Sequence, residues 1–112
     1  MDMERRKHNR YRLGVPVIFS WRGRRHAQHE GVGLTRDISI AAAFVATASP
    51  PPLKTNIKLK VFIPPGRGAV APLRIHGQGR VVRVEAAQRG EPRAGFAVAG
   101  PPFVLRRAEE YR

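Results

Sequence analysis

Alternation of apolar and polar residues is the dominant pattern along the chain, and it predicts a protein built from β-strands. The pattern is clearest over residues 57–63, where every second residue is apolar and lysines fill two of the positions between. A period of two is expected for a strand that buries one face. Less regular versions of the pattern predict five further strands, over residues 15–21, 30–37, 39–47, 73–84 and 93–98.

Turn-forming residues separate these strands. Residues 22–25 predict a turn that joins the first two strands into a hairpin, and Pro16 indicates an edge or an irregularity in the first strand. The stretch 39–47 is short and is stopped by a serine and three prolines, which favours a strand over a helix despite its three consecutive alanines. Gly77 and Gly79 interrupt the strand pattern around them and predict a bulge or a sharp bend.

The two ends of the chain are predicted to differ from its middle. Residues 1–11 are polar and basic and form an arm that is ordered only by docking or by a ligand, whereas residues 12–112 form one domain. Residues 103–111 have an apolar start followed by helix formers, which predicts a short C-terminal helix. About six short strands, with no helix long enough for a parallel crossover, predict an all-β, mainly antiparallel sheet or barrel.

The charge balance indicates a class of partner. Subtracting 8 Asp and Glu from 21 Lys and Arg leaves +13, which attracts phosphates, nucleic acid or anionic lipid. The chain has no cysteine, which excludes disulfides, thiolate metal sites and a cysteine nucleophile. It begins with charged residues and has no apolar run of about 18 residues, so we expect a cytoplasmic protein without membrane insertion.

Enzyme chemistry finds little support in the sequence. The stretch 77–79 lacks the third glycine and the following helix of a dinucleotide-binding turn, and residues 66–68 lack the ending of a P-loop. His26 and His29 have a spacing that metals tolerate, but no further ligand lies beside them in the sequence. The serines lack the context of a nucleophile elbow. We therefore expect no catalysis, no metal and no cofactor.

Two short stretches together offer the chemistry of a site for a phosphate-bearing guanine ligand. Arg5, Arg6 and Arg10 supply guanidinium forks, which grip phosphate, pair with guanine O6 and N7, or stack on a purine. Asp37 can accept from guanine N1 and N2, and Ser39, two residues further along a predicted strand, points the same way and can donate to phosphate. The competing interpretation is an ion pair between Asp37 and the arm, with Ser39 capping a turn, worth about 1 kcal/mol or less. The residues alone leave both interpretations open.

In the same stretches the sequence resembles the PilZ family, and the resemblance covers nearly the whole chain. Residues 6–10 match the family's Arg-x-x-x-Arg motif, and residues 37–42 match its Asp/Asn-x-Ser-x-x-Gly motif except at Ala42. Each motif alone is weak. Their order and separation, together with the strands at residues 44–45 and 95–98, make the combination fairly specific.

The resemblance implies a fold and a ligand. PilZ domains are six-stranded antiparallel barrels with a C-terminal helix, and they bind the bacterial second messenger cyclic di-GMP. By this resemblance Arg6 and Arg10 would hold phosphates and guanine edges with help from Arg5. Asp37 and Ser39 would contact a guanine and its linked phosphate.

Ala42 stands where the family has glycine, and this substitution has two alternative consequences. If the position needs a positive φ, alanine costs about 1–2 kcal/mol, which weakens binding roughly ten- to thirtyfold. If instead the glycine permits close approach of the ligand, the methyl group of Ala42 could block binding.

Two other functions compete with a nucleotide receptor. One is a PilZ-like adaptor in pilus or motility function that does not bind the nucleotide, for which Ala42 is the sequence support. The other is a small basic β-barrel that binds nucleic acid, favoured by the net charge and by Trp21, Phe44 and Phe62. We favour the receptor and expect no nucleic-acid partner. The arm is predicted to order over cyclic di-GMP and to signal through an unidentified downstream protein.

Overall fold

The strands form a closed antiparallel β-barrel. A computed structural model describes it over residues 11–12, 14–64, 73–86 and 94–107. Within these residues the one helical segment is a 3₁₀ turn at Arg24–His26. The strands are β1 (Tyr11–Arg12), β2 (Pro16–Arg22), β3 (Gln28–Ile38), β4 (Ala42–Ala46), β5 (Asn56–Ile63), β6 (Leu73–Glu85), β7 (Gly95–Ala99) and β8 (Val104–Arg107).

Six of these strands close the barrel. They follow one another in the order β3, β2, β5, β6, β7 and β4, and β4 pairs back with β3 to complete the ring. Every pairing is antiparallel. The other two strands extend the sheet outside the ring, β1 beside β3 and β8 beside β6. The predicted six-stranded antiparallel barrel is therefore confirmed.

The alternating pattern sends one face of each strand into the barrel. In β5 the lysines are exposed and the apolar residues between them are buried, as the sequence predicts. Phe19 of β2 and Phe96 of β7 meet edge to face in the interior, with ring centroids 4.9 Å apart. Burying an apolar side chain is worth about 1.5–3 kcal/mol, so the interior is the main source of stability. The core consists of Val17, Phe19, Ile38, Ala43, Val45, Ile57, Leu59, Val61, Val81, Phe96 and Val98.

The first two barrel strands form the predicted hairpin. β2 and β3 pair from Pro16 opposite Leu34 to Arg22 opposite Gln28, and the 3₁₀ turn joins them. Pro16 opens β2, one residue before that strand begins to pair with β5 on its other side. Because proline has no N–H to donate, the first residue of a strand is a position where the ladder tolerates it.

The glycines of β6 do not produce the predicted bulge. β6 is unbroken from Leu73 to Glu85, and its register against β5 is regular through Gly77 and Gly79. The register shift lies further on, between Val81 and Arg83 on the β7 side. The two glycines instead permit close packing. A Cβ at position 77 would lie 2.5 Å from the Phe103 ring, and one at position 79 would lie 2.5 Å from the carbonyl oxygen of Ala99.

The prediction of a C-terminal helix is wrong where the structure describes the segment. Val104–Arg107 form strand β8, which pairs with residues 73–76 of β6, and residues 108–112 lie outside the description. The cause is non-local. β7 pairs with β6 only from Arg80 onward, so it does not cover the edge of β6 at residues 73–76. β8 forms its backbone hydrogen bonds at that edge.

Gly79→Ala tests the close packing in β6. We expect the substitution to lower the free energy of unfolding by about 1–3 kcal/mol, because its methyl group would press on the backbone of Ala99. Chemical denaturation followed by circular dichroism measures the change. Gly14→Ala is the matched control, since no atom lies within 4 Å of the added Cβ and stability should change by less than about 1 kcal/mol. Equal effects at both positions would contradict the packing argument.

Candidate functional site

The carboxylate and the hydroxyl predicted to form the site lie at one end of the β3–β4 hairpin. Asp37 is the penultimate residue of β3, Ser39 follows the end of that strand, and Ala42 begins β4. The predicted arginines Arg5, Arg6 and Arg10 lie outside the described residues. The structure therefore brings together one half of the predicted site.

The N-terminal segment enters the barrel beside this hairpin end. β1 pairs with β3 so that Arg12 is opposite Asp37 and Tyr11 is opposite Ile38. Thr35 holds the chain where it passes from β1 toward β2. Its backbone N–H donates to the carbonyl oxygen of Val15 at 2.9 Å, and its hydroxyl accepts from the Val15 N–H at 3.2 Å. Thr35 is 2% exposed, so water does not compete with these bonds.

The turn that carries Ser39 is fixed by backbone hydrogen bonds. The Ser39 N–H donates to the carbonyl oxygen of Ala42 at 2.8 Å, and its hydroxyl reaches the same oxygen at 3.4 Å. The carbonyl oxygens of Ile40 and Ala41 accept from the N–H groups of Phe103 at 2.7 Å and Gly100 at 3.1 Å. Ser39 is thus a turn residue, and the prediction that it follows Asp37 along a strand is wrong. The weak bond made by its hydroxyl leaves it available for a ligand.

Ala42 is not in the left-handed conformation. The described non-glycine residues with positive φ are Arg25, His26 and Lys54. Ala42 instead pairs with Ala99 of β7 as the first residue of its strand. The strain alternative considered from the sequence is therefore excluded. The remaining alternative is that the methyl group of Ala42 occupies space that the ligand would need.

The side chain of Asp37 lies at the edge of a cluster of carboxylates and arginines that the sequence pattern does not predict. Arg36 Nε is 3.7 Å from Asp37 Oδ2, and Arg36 Nη1 is 3.6 Å from Glu85 Oε1. Arg83 Nε approaches the other oxygen of Glu85 at 3.1 Å. These groups are partly exposed, so each pair contributes at most about 1 kcal/mol. A stronger hydrogen-bond donor can therefore replace Arg36 at the Asp37 carboxylate.

The ring of Phe44 lies beneath the guanidinium groups of the two arginines in this cluster. The β3 register shifts between Thr35 and Asp37, which leaves Arg36 unpaired in the ladder against β4. Its guanidinium carbon lies 3.7 Å from the centroid of the Phe44 ring, and that of Arg83 lies 5.7 Å away. Phe44 is 4% exposed, so its ring is buried although both guanidinium groups over it are partly exposed. Only the pairing of β4 with β3 and β7 assembles this group, and no local sequence signal predicts it.

The aromatic residues that favoured a nucleic-acid binder have neighbours stacked on them. Trp21 lies nearly parallel to His29 and to Phe19, with centroids 5.2 Å and 5.8 Å away. Arg36 covers Phe44, and the guanidinium of Arg74 lies 5.4 Å from the Phe62 centroid. Base stacking requires an accessible ring face. The geometry of these rings therefore gives the nucleic-acid interpretation no support.

The described residues contain no preformed metal centre. In the described ranges, no group of three or more His, Asp or Glu side chains is placed to hold an ion. His26 and His29 therefore belong to no such group. In the same part of the chain, no helix is long and apolar enough to cross a bilayer.

Comparison with known proteins identifies one family. The model of the PilZ domain family matches residues 4–108, which is nearly the whole chain. This match spans both of the predicted motifs, the β1–β3 pairing and the β3–β4 hairpin. No curated protein and no solved structure matches the chain significantly.

Ala42→Gly tests whether the backbone at this position is strained. Because Ala42 has an ordinary strand conformation, we expect glycine to lower the free energy of unfolding by about 0.5–1 kcal/mol through its greater freedom in the unfolded chain. Denaturant unfolding of the two proteins measures the difference. A glycine variant more stable than the wild type would mean that alanine is strained here.

Proposed function

The chain belongs to the PilZ domain family, and on this premise we propose that it is a receptor for cyclic di-GMP. PilZ domains are receptor or adaptor domains, and enzymatic activity is not part of this proposal. The nucleotide binds between the N-terminal arm and the end of the β3–β4 hairpin. The arm orders over it and presents a surface to a downstream protein.

The observation that carries the proposal is the register of β1 against β3. Arg12 lies opposite Asp37, so the chain leaves the barrel toward its N-terminus beside the carboxylate. Covalent geometry keeps the Cα of Arg10 about 3.8 Å from that of Tyr11, the Cα of Arg6 within about 18 Å of it and the Cα of Arg5 within about 22 Å. All three predicted arginines are therefore tethered within reach of the hairpin end.

The chemistry of the two halves is complementary to a guanine nucleotide. Arg6 and Arg10 supply bidentate donors for phosphate oxygens or for guanine O6 and N7, and Arg5 adds a third guanidinium. Asp37 accepts from the N1 and N2 donors of guanine, and the Ser39 hydroxyl donates to a phosphate oxygen. The Asp37 carboxylate exchanges its weak contact with Arg36 for hydrogen bonds to the base.

Ala42 acts on this site through the space that its methyl group occupies. Its conformation matches a strand residue, so the loss in affinity expected from strain does not apply. A methyl group at the start of β4 occupies space beside Ser39, and its effect on affinity is steric.

Arg6→Ala and Arg10→Ala test the contribution of the arm. Each variant removes charge-assisted hydrogen bonds worth about 1.5–3 kcal/mol, so the Kd for cyclic di-GMP should rise roughly tenfold to a hundredfold. Isothermal titration calorimetry measures it. Arg24→Ala is the matched control, because it removes the same charge from the exposed 3₁₀ turn and should leave the Kd unchanged.

The same titration distinguishes a receptor from an adaptor that does not bind the nucleotide. If the folded wild-type protein gives no heat with cyclic di-GMP, the protein with alanine at position 42 is not a receptor for this nucleotide. If Ala42→Gly then bound the nucleotide, the methyl group would be the obstruction. If neither protein bound it, the adaptor would be the better description.

Ordering of the arm is tested by NMR relaxation. We expect the backbone order parameters of residues 5–10 to rise on addition of cyclic di-GMP, approaching the value of about 0.85 that is typical of rigid backbone. The physical reason is that two or more arginine contacts fix the arm against the barrel. Residues 24–26, remote from the hairpin end in sequence, serve as the internal reference. Order parameters of the arm that do not change at saturating ligand would contradict the proposed switch.

A further inference from the structure

The barrel carries a second basic surface that shares no residue with the proposed nucleotide site. It is a cavity of about 750 Å³ on the outer faces of β5, β6 and β8. Four of its lining residues are Lys or Arg, and among the described residues Glu30 is the one carboxylate that lines it. We call this surface the β5–β8 groove. The residues that define it here are Lys58, Lys60, Phe62, Arg74, His76 and Arg106.

Strand register places these side chains in rows across the sheet. Lys60 of β5 is opposite His76 of β6, which is opposite Val104 of β8. In the next row, Arg74 is opposite Arg106. Like charges on directly opposite residues of an antiparallel pair destabilise a sheet. The groove therefore concentrates positive charge at a cost to the fold.

The histidine in the groove is partly buried and lies within the same positive field. Partial burial, followed by the nearby charges of Lys60, Arg106 and Arg74, lowers the pKa of His76. These three cations come from the three strands that form the groove. His76 is consequently neutral at physiological pH and offers an imidazole rather than a further charge.

The groove also has apolar walls. Phe62, Val104, Pro101 and Pro102 line it together with the cations. Beyond it, β8 pairs with β6 alone among the described strands, and Val104 and Leu105 are 50% and 60% exposed. An outer strand of this kind offers backbone groups and apolar side chains to an extended segment of another chain.

We propose that the β5–β8 groove binds an acidic polypeptide segment in extended conformation, with carboxylates at alternate positions. In a strand, residues two apart lie about 6.8 Å apart on one face, which is the spacing of Lys58 and Lys60 along β5 and of Arg74 and His76 along β6. Carboxylates at alternate positions share one face of the segment and meet the cations, whereas the residues between them point away from the groove. Nucleic acid fits less well, because Arg74 stands over the Phe62 ring on which a base would stack. The inference does not depend on binding of cyclic di-GMP.

A labelled peptide of alternating glutamate and valine is a suitable probe, with binding followed by fluorescence anisotropy at an ionic strength of about 0.15 M. The test variant combines Lys60→Glu with Arg106→Glu. The control variant combines Arg24→Glu with Lys54→Glu, which changes the net charge equally at positions that do not line the groove. We expect the test variant to weaken binding by at least about tenfold and the control to weaken it by less than about twofold.

Three results would overturn the proposal. The first is no binding of the peptide to the wild type, and the second is an equal loss in both double variants, which would indicate attraction by net charge only. The third is tighter binding of oligothymidylate or of phosphatidylglycerol vesicles than of the peptide, with the same dependence on Lys60 and Arg106. Thermal unfolding checks that the variants fold. If the glutamate variant does not fold, Lys60→Gln with Arg106→Gln replaces it and must still weaken binding. Cyclic di-GMP affinity should be unchanged in the test variant, which separates this outcome from that of the proposed function.

Discussion

The attachment of β1 to β3 is the constraint on which the proposed receptor depends. A two-residue strand has too few backbone hydrogen bonds to hold itself in place, and the structure compensates with Thr35. This buried side chain and its backbone N–H bind Val15 just beyond β1, where the chain crosses toward β2. Without these bonds the position of β1 opposite Asp37 would be variable. A hydroxyl in the barrel wall thus helps to fix where the chain joins the barrel beside Asp37.

The same barrel presents two surfaces with different electrostatics. Around Asp37, carboxylates and arginines alternate over the Phe44 ring, so local charge is largely balanced and an incoming ligand competes with weak pairs. Along the β5–β8 groove, Arg74 faces Arg106, and among the described lining residues four cations accompany one carboxylate. The net charge of +13 describes neither surface. Because exposed ion pairs contribute little to stability, the fold tolerates both arrangements on one apolar core.

Local alternation predicted the strands whose one face is buried, as β5 and the β2–β3 hairpin demonstrate. It failed where a segment's structure depends on a distant partner. Val104–Arg107 form a strand because β6 offers them an edge, and Gly77 and Gly79 serve packing against Phe103 and Ala99 rather than a bulge. At the site, the motif identified Asp37 and Ser39 at one hairpin end. It did not predict the turn conformation of Ser39 or the group formed by Arg36 and Glu85, because strand register assembles that group from three parts of the chain.

One short segment connects the two surfaces. The N–H groups of Gly100 and Phe103 bind the turn between β3 and β4, and the chain then passes directly into β8 at the groove. Pro101 and Pro102 lie between and restrict the backbone of this connection. The turn that carries Ser39 therefore cannot shift without either displacing the start of β8 or breaking two backbone hydrogen bonds. Coupling between binding sites is reciprocal in free energy. If the nucleotide alters affinity at the groove, an occupant of the groove must alter nucleotide affinity by the same factor, and this segment is the physical element through which both would act.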